Sequence, residues 1–383
     1  MKIKTILKTL TCIALTLSMY FVTPQKVNAI TFEQITAPTA VLIDENSGTV
    51  IFDKNSHDKR ACASITKVMT LTLVFEALDS GKIKIDDKVT TSARAESMGG
   101  SDIWLEEGEK MSVDDMIKAT VVASANDAAV ALAEYVSGSE EEFVKQMNKK
   151  ADKLNMKETT FKNCNGLDEE GHITSAYDVA LMSRELLTHK EIFNYSTIWM
   201  DYLRGGETQI VNTNKLLNTY DGITGLKTGT TNDAGSCISA TAKRDGLSLI
   251  AVVLGSKTGK ERFNDAKTLL DYGFSNYTTI KTTLKEALKP IKVKNAMSKE
   301  VLVGADLGNN MLVDKSKKNL VKSKVKYNKN ITAPIKKGEK VGEVIYYVEE
   351  KKIARCDIKV LHDVKEIEFL SVLSLLYQYL VLL

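Results

Sequence analysis

Ala63-Ser64-Ile65-Thr66-Lys67-Val68-Met69-Thr70-Leu71-Thr72-Leu73-Val74-Phe75-Glu76-Ala77-Leu78 is apolar on most sides of a helical projection, the pattern of a helix buried within a domain. One lysine stands inside it. A surface lysine is not placed among buried residues, so Lys67 needs a local reason, and Ser64, three positions earlier, supplies one. Positions i and i+3 share a helix face, and Ser64 falls in the first turn, where the positive end of the helix dipole favours a developing oxyanion. Serine becomes a nucleophile when a neighbouring base takes its proton. Lysine serves as that base when burial or a nearby cation lowers its pKa. Alone, the Ser-x-x-Lys pattern is weak. Ser323-Lys324-Val325-Lys326 also fits it within a lysine-rich stretch that reads as a solvated strand, and a serine opening a helix is ordinarily an N-cap.

Before this helix, Ala40 to Asp44 and Thr49 to Asp53 flank Glu45-Asn46-Ser47-Gly48, which predicts a β-hairpin. After it, Ser112 with Asp115 resembles a capping box opening a helix through about Val122. Asp127 to Tyr135, Glu140 to Leu154 and Ala176 to Leu187 continue the helical pattern, so residues 65 to 200 are mainly helical. Strands return at Leu226 to Thr231, Ser236 to Lys243 and Leu247 to Leu254, separated by Asn232-Asp233-Ala234-Gly235 and Arg244-Asp245-Gly246. A helix from about Glu261 to Leu270 closes the unit. Near Asn276 lysine becomes frequent, and 291 to 361 carries short Val- and Ile-rich runs between turns, predicting a small all-β domain.

Two further motifs accompany Ser64 and Lys67. Ser124-Ala125-Asn126 occurs once, before an alanine-rich helix. Its residues are ordinary caps, and they also suit a loop in which Ser124 relays a proton from Lys67 to a leaving amine while Asn126 donates to a substrate carbonyl. Lys-Thr-Gly occurs twice, at 227 to 229 and at 257 to 259. The first lies in a β-run, where an extended substrate adds as another strand. There Lys227 and Thr228 are candidates to bind a carboxylate, Gly229 permits close backbone approach, and the N–H of Thr230 pairs with that of Ser64 as an oxyanion hole. Lys227 is also the candidate cation for lowering the Lys67 pKa. The second copy reads as a turn leading into the next helix.

The chain has 383 residues, 43% hydrophobic and 26% charged, the composition of a globular protein of about two domains. Lys2, Lys4 and Lys8, an apolar stretch from Leu10 to Val22 and then Val27-Asn28-Ala29 predict a secretory signal peptide over 1–29. Without it, 48 basic residues stand against 49 acidic ones, so nucleic acid is not an expected partner. Cys62, Cys164, Cys237 and Cys356 are widely spaced, and His57, His172, His189 and His362 are isolated from one another. No metal or cofactor is expected. At the other end, 369 to 383 is apolar apart from Ser371, Ser374 and Gln378 at i, i+3 and i+7. Fifteen helical residues span only about 22 Å against a hydrocarbon core of about 30 Å. The tail is expected to lie in a membrane interface, and the alternative is a helix docked on the protein's own core.

Taken together, Ala63 to Thr70, Met98-Gly99-Gly100-Ser101, Ala123 to Ala128 and Gly225 to Thr231 resemble the D-alanyl-D-alanine carboxypeptidases, the low-molecular-mass penicillin-binding proteins. Asn212-Thr213-Asn214-Lys215-Leu216-Leu217, His172 with Thr174-Ser175-Ala176, Arg262-Phe263 and Leu269 to Phe274 extend the likeness over about residues 35 to 365. It implies an α/β (α+β) fold in which an antiparallel sheet is flanked by helices, with a helical subdomain and a small C-terminal all-β domain. The expected divisions are a catalytic domain over 30–275, a β-rich domain over 276–362 and a membrane-associating segment over 363–383. The implied activity is removal of the terminal D-alanine from peptidoglycan stem peptides through an acyl-enzyme on Ser64, which penicillins also acylate. The implied place is outside the cell, on the outer face of the cytoplasmic membrane or in the wall. One departure is that 369 to 383 lacks lysine and arginine, so attraction to anionic lipid is missing from the tail. Of the alternatives, a class A β-lactamase would need a deacylating Glu-x-x-Leu-Asn, which is absent, and has Ser-Asp-Asn in place of Ser-Ala-Asn. A silent cell-wall binding protein on the same scaffold would not need Ser64, Lys67, Ser124 and Lys227. A triad hydrolase using His172 would need a Gly-x-Ser-x-Gly elbow.

Overall fold

The computed structural model describes residues 31–298 and 300–381; the expected signal peptide lies outside the described residues. Thr39–Asp44 (β1) and Val50–Lys54 (β2) form the N-terminal hairpin, followed by α1 over Lys67–Asp79 and by Lys88–Thr90 (β3), which pairs with Lys110–Ser112 (β4). Helices Val113–Lys118 (α2), Asn126–Ser137 (α3), Glu140–Lys153 (α4) and Ala176–Leu186 (α5) follow, then a hairpin of Met200–Leu203 (β5) and Thr208–Val211 (β6). Strands Ile223–Thr231 (β7), Gly235–Arg244 (β8) and Leu247–Ser256 (β9) lead into the long helix Gly259–Asn276 (α6). The remainder is β-rich: Tyr277–Lys281 (β10), Val303–Ala305 (β11), Asn310–Asp314 (β12), Val321–Tyr327 (β13), Lys340–Val348 (β14) and Lys351–Val360 (β15), before a final helix, Phe369–Val381 (α7).

The main sheet is antiparallel, in the order β2-β1-β9-β8-β7. Every residue of β1 is buried, as a strand covered on both faces requires. Alternation assigns the two faces. Val41, Ile43, Ile250, Val252 and Leu254 join the apolar core shared with α1 and the helical segment, and Ser239 on that face meets Ser183 of α5 at 2.7 Å. The opposite face carries Leu42 and Leu249, on which α6 lies; a Cβ at Gly273 would stand 2.5 Å from Leu249. This corrects the expectation that α6 ends near Leu270. Gly273 sits inside the helix for close packing and does not terminate it, so the helix runs to Asn276.

A second apolar core is built from Val301, Val303, Met311, Ile335, Val344, Tyr346, Ile358 and Val360 among others. It packs beneath a four-stranded sheet of order β11-β15-β14-β13, beside the β10-β12 pair. In either core, cutting a buried Leu or Ile to Ala costs about 2–5 kcal/mol.

Candidate active site

Ser64 lies in a short 3₁₀ turn, Ala63–Thr66, that runs directly into α1. The turn is held in an unusual backbone. Ala63 is left-handed, with φ 50°, and two glycines from distant segments press against it. A Cβ on Gly166 would stand 2.0 Å from the Ala63 carbonyl oxygen, and one on Gly229 would stand 2.8 Å from the Ser64 nitrogen. A side chain at either place would displace the Ser64 backbone. The turn is also braced from below. Thr66 Oγ1 donates to the Ala63 carbonyl at 2.9 Å, while His172 Nδ1 accepts from the Lys162 N–H at 3.1 Å. That leaves the proton on His172 Nε2, which donates to Thr66 Oγ1 at 2.7 Å. Burial lowers His172 to about 4, so the ring is neutral. His172 therefore orients the turn and makes no hydrogen bond to Ser64, unlike the histidine of a triad.

Lys67 is completely buried. Its Nζ lies 3.0 Å from Ser64 Oγ and donates to Asn126 Oδ1 at 2.5 Å and to the Asn165 carbonyl at 2.7 Å. The Asn126 amide is oriented because its Nδ2 donates to the Gly99 carbonyl at 2.6 Å. Burial pulls Lys67 from 10.5 to about 7, opposed by Cys164, Asp127 and Asp102. A neutral amine has two N–H donors and one lone pair. Asn165 O and Asn126 Oδ1 can only accept and take the two donors, so the lone pair points at the Ser64 hydroxyl.

The strand carrying the first Lys-Thr-Gly is the edge strand of the main sheet and passes the Ser64 backbone at Gly229. Lys227 is buried, with Nζ donating to the Thr228 carbonyl at 3.0 Å. Its pKa falls well below 10.5, first through burial and then through the charges of Lys67 and Arg262. Lys67 itself is lowered by burial. The charge of Lys227 is not among the causes that lower Lys67. Thr228 Oγ1 donates to Thr213 Oγ1 at 2.7 Å, and Arg262 Nη1 donates to the Gly229 carbonyl and to Thr230 Oγ1, both at 2.9 Å.

Ser124 is placed by a break in regular helix. Helix α2 stops at Lys118, short of the expected Val122, and Ala119–Ala123 widens into a π-type turn that leaves Ser124 left-handed at φ 64°. Its hydroxyl makes no hydrogen bond among the described residues, to Lys67 or to any other group. Asp127 is more than a cap: its carboxylate accepts from the N–H groups of Ile103 at 3.0 Å and Leu105 at 3.1 Å, fixing the loop that follows Gly99-Gly100. The second Lys-Thr-Gly does open a helix, with Thr258 and Glu261 forming a reciprocal capping box at the start of α6.

The site thus joins Ser64, Lys67 and Asn126 directly and lays Thr228, Gly229 and Thr230 alongside. Sequence reading missed Asn165, which acts through its backbone carbonyl, and Gly166, for which the only hint was an Asn-Gly pair in a loop. Arg262 enters the family likeness without a role. Cys62, Cys164, Cys237 and Cys356 are buried free thiols.

Residues 25–258 match the family described as D-alanyl-D-alanine carboxypeptidase, and 277–366 match the C-terminal domain of penicillin-binding protein 5. The chain is 44% identical over 343 residues to D-alanyl-D-alanine carboxypeptidase DacF of Bacillus subtilis, covering 88% of each. It is 35% identical over 335 residues to DacC of Escherichia coli, covering 85% of this chain and 84% of that one. Among solved structures, penicillin-binding protein 5 from Haemophilus influenzae matches with a TM-score of 0.80 at 34% identity, over 88% of this chain and all of that one.

Proposed function

The chain belongs to the D-alanyl-D-alanine carboxypeptidase family, and from that premise we propose that Ser64 is the acyl-accepting nucleophile and Lys67 its base. The enzyme is a DD-carboxypeptidase acting on peptidoglycan, which implies an extracytoplasmic location. What supports the residue assignment is a buried Lys67 whose pKa falls to about 7 and whose Nζ lies 3.0 Å from Ser64 Oγ. Lys67 takes the hydroxyl proton as Ser64 attacks the carbonyl of the penultimate D-alanine. The N–H groups of Ser64 and Thr230 receive the oxyanion. Ser124, whose hydroxyl is uncommitted, relays the proton to the departing D-alanine nitrogen, and water then cleaves the ester. Asn126 keeps one amide N–H for the substrate carbonyl. The terminal carboxylate lies on Lys227, Thr228 and Gly229, where the positive charge of Arg262 is next to the strand.

Offered a peptide ending in D-Ala-D-Ala and, separately, a penicillin, the enzyme is expected to release D-alanine over many turnovers and to hold the penicillin as a long-lived adduct. Rapid multiple-turnover hydrolysis of the penicillin would make it a β-lactamase instead.

We assign 30–275 to the catalytic domain, 276–362 to the β-rich domain and 363–383 to membrane association, a division supported by the two separate apolar cores. Residues 1–29 act as the signal peptide in this reading. Among the described residues, no helix is long and apolar enough to cross a membrane. Helix α7 nonetheless leaves Phe369 78%, Leu370 75%, Tyr377 70% and Leu380 72% exposed, which does not fit a helix docked on the protein core. We place α7 in the membrane interface. Deleting 369–383 should move the enzyme from membrane to soluble fractions with peptidase activity retained; unchanged fractionation would remove the helix from this role.

A further inference from the structure

Charge is divided sharply along the chain. Residues 277–366 carry 21 lysines and arginines against 11 aspartates and glutamates, whereas 30–276 carry 27 against 37. Two regions of net charge +10 and −10 thus cancel in the overall composition. Within the basic region the charge concentrates further: 315–329 holds seven lysines and no acid.

The strand register puts part of this charge on one surface. Lys322, Lys324 and Lys326 of β13 lie opposite Tyr347, Ile345 and Glu343 of β14, and these lie opposite Lys352, Arg355 and Asp357 of β15. Residues paired across antiparallel strands project to the same face. That face therefore carries five exposed cations, Lys322, Lys324, Lys326, Lys352 and Arg355, around the half-buried Tyr347. None of the five has an ion-pair partner among the described residues. Of the two carboxylates on the face, Asp357 is engaged by Lys340, leaving Glu343.

Lysines on an edge strand ordinarily guard against strand addition. Guarding the β13 edge does not need Lys352 and Arg355, which stand on the far side of β14 on β15, on the stretch before its short pairing with β11 at Ile358–Val360. We propose that this sheet face binds a linear polymer carrying a phosphate in every repeat, joined as diesters or as anhydrides. Alternate residues of β13 hold their ammonium groups at intervals of about 7 Å, within one Debye length of each other, so a repeating phosphate chain can meet several at once. The chain entering α7 carries Asp363, Glu366 and Glu368, so the basic face is not continued in sequence to the apolar helix as a lipid-binding surface would be. The acidic region 30–276 repels the same polymer, leaving the catalytic part of the molecule clear of it.

The test uses the full chain with poly(glycerol phosphate) and long-chain inorganic polyphosphate as probes, and with phosphatidylglycerol-containing vesicles as the lipid arm. The wild type should bind both polymers, with affinity falling at least about tenfold between roughly 50 and 200 mM salt. The triple variant Lys322→Gln/Lys324→Gln/Lys326→Gln and the double variant Lys352→Gln/Arg355→Gln should each weaken binding at least about fivefold. D-alanine release from a short peptide should stay unchanged, which separates this proposal from the assignment of the active site. Polymer binding that is absent in the wild type, or kept by both variants, overturns the proposal. So does loss confined to vesicle binding, which would make the face a lipid contact, or a salt-sensitive oligomer dissolved by the variants without polymer binding, which would make it a contact between copies.

Discussion

Ser64→Ala should retain a cooperative fold while losing D-alanine release and covalent penicillin labelling, each by about 10⁴-fold or more. The loss follows from chemistry: with the only acyl-accepting oxygen gone, no ester forms, and the remaining oxyanion donors polarise a carbonyl that nothing attacks. Retention of the fold follows from geometry. Ser64 Oγ makes one hydrogen bond, to Lys67, and a single hydrogen bond contributes about 0.5–1.5 kcal/mol net. The unusual backbone of the turn is held by Gly166, Gly229 and the Thr66–His172 pair and does not depend on the serine side chain. Mass mapping of a labelled penicillin on the wild type checks the assignment. An adduct on any other residue, or undiminished labelling of the variant, would sink it.

Lys67→Ala should slow acylation by about 10²–10⁴-fold, the range for removing a positioned general base, and should also remove a pH dependence. The working form of Lys67 is the neutral amine, and burial places its transition at about 7. Below that pH the ammonium dominates and the wild-type acylation rate should fall about tenfold per unit; above it the rate should level off. The variant should show no such limb. A wild-type limb near the ordinary lysine value, or the same limb kept by the variant, would take the base role from Lys67. The fold should persist, since the substitution leaves Asn126 Oδ1 and the Asn165 carbonyl to water in place of Nζ, at about 1–3 kcal/mol for each group left unpaired. A thermal melt showing global unfolding would instead make Lys67 a structural residue.

Much of this site was legible because its central pair is local. Three residues on a helix bring Ser64 and Lys67 to one face whatever the rest of the chain does, and the apolar surroundings of Lys67 announced its burial. The two Lys-Thr-Gly copies were separable for the same reason: strand periodicity surrounds one, and Thr258 with Glu261 caps a helix at the other. Legibility failed where backbone geometry mattered more than residue type. The turn at Ala119–Ala123 looks like ordinary helix in sequence, because its side chains suit one and only the ladder of hydrogen bonds differs. The helix expected to end near Leu270 runs on through Gly273, whose contact with Leu249 and Leu42 makes it a packing residue.

The sequence by itself determined the family likeness, the helical middle, the hairpins and the β-rich end, since each rests on patterns within a few residues. Tertiary structure alone decided the surroundings that lower the pKa of Lys67. The carbonyl that fixes its proton comes from Asn165, 98 residues away, and every residue type carries such a carbonyl. It also decided that β1 lies against β9, and that cations separated along the chain on β13 and β15 share one face. These depend on which strands pair and in what register, and register is set by burial summed over a whole core, which no short stretch of residues contains.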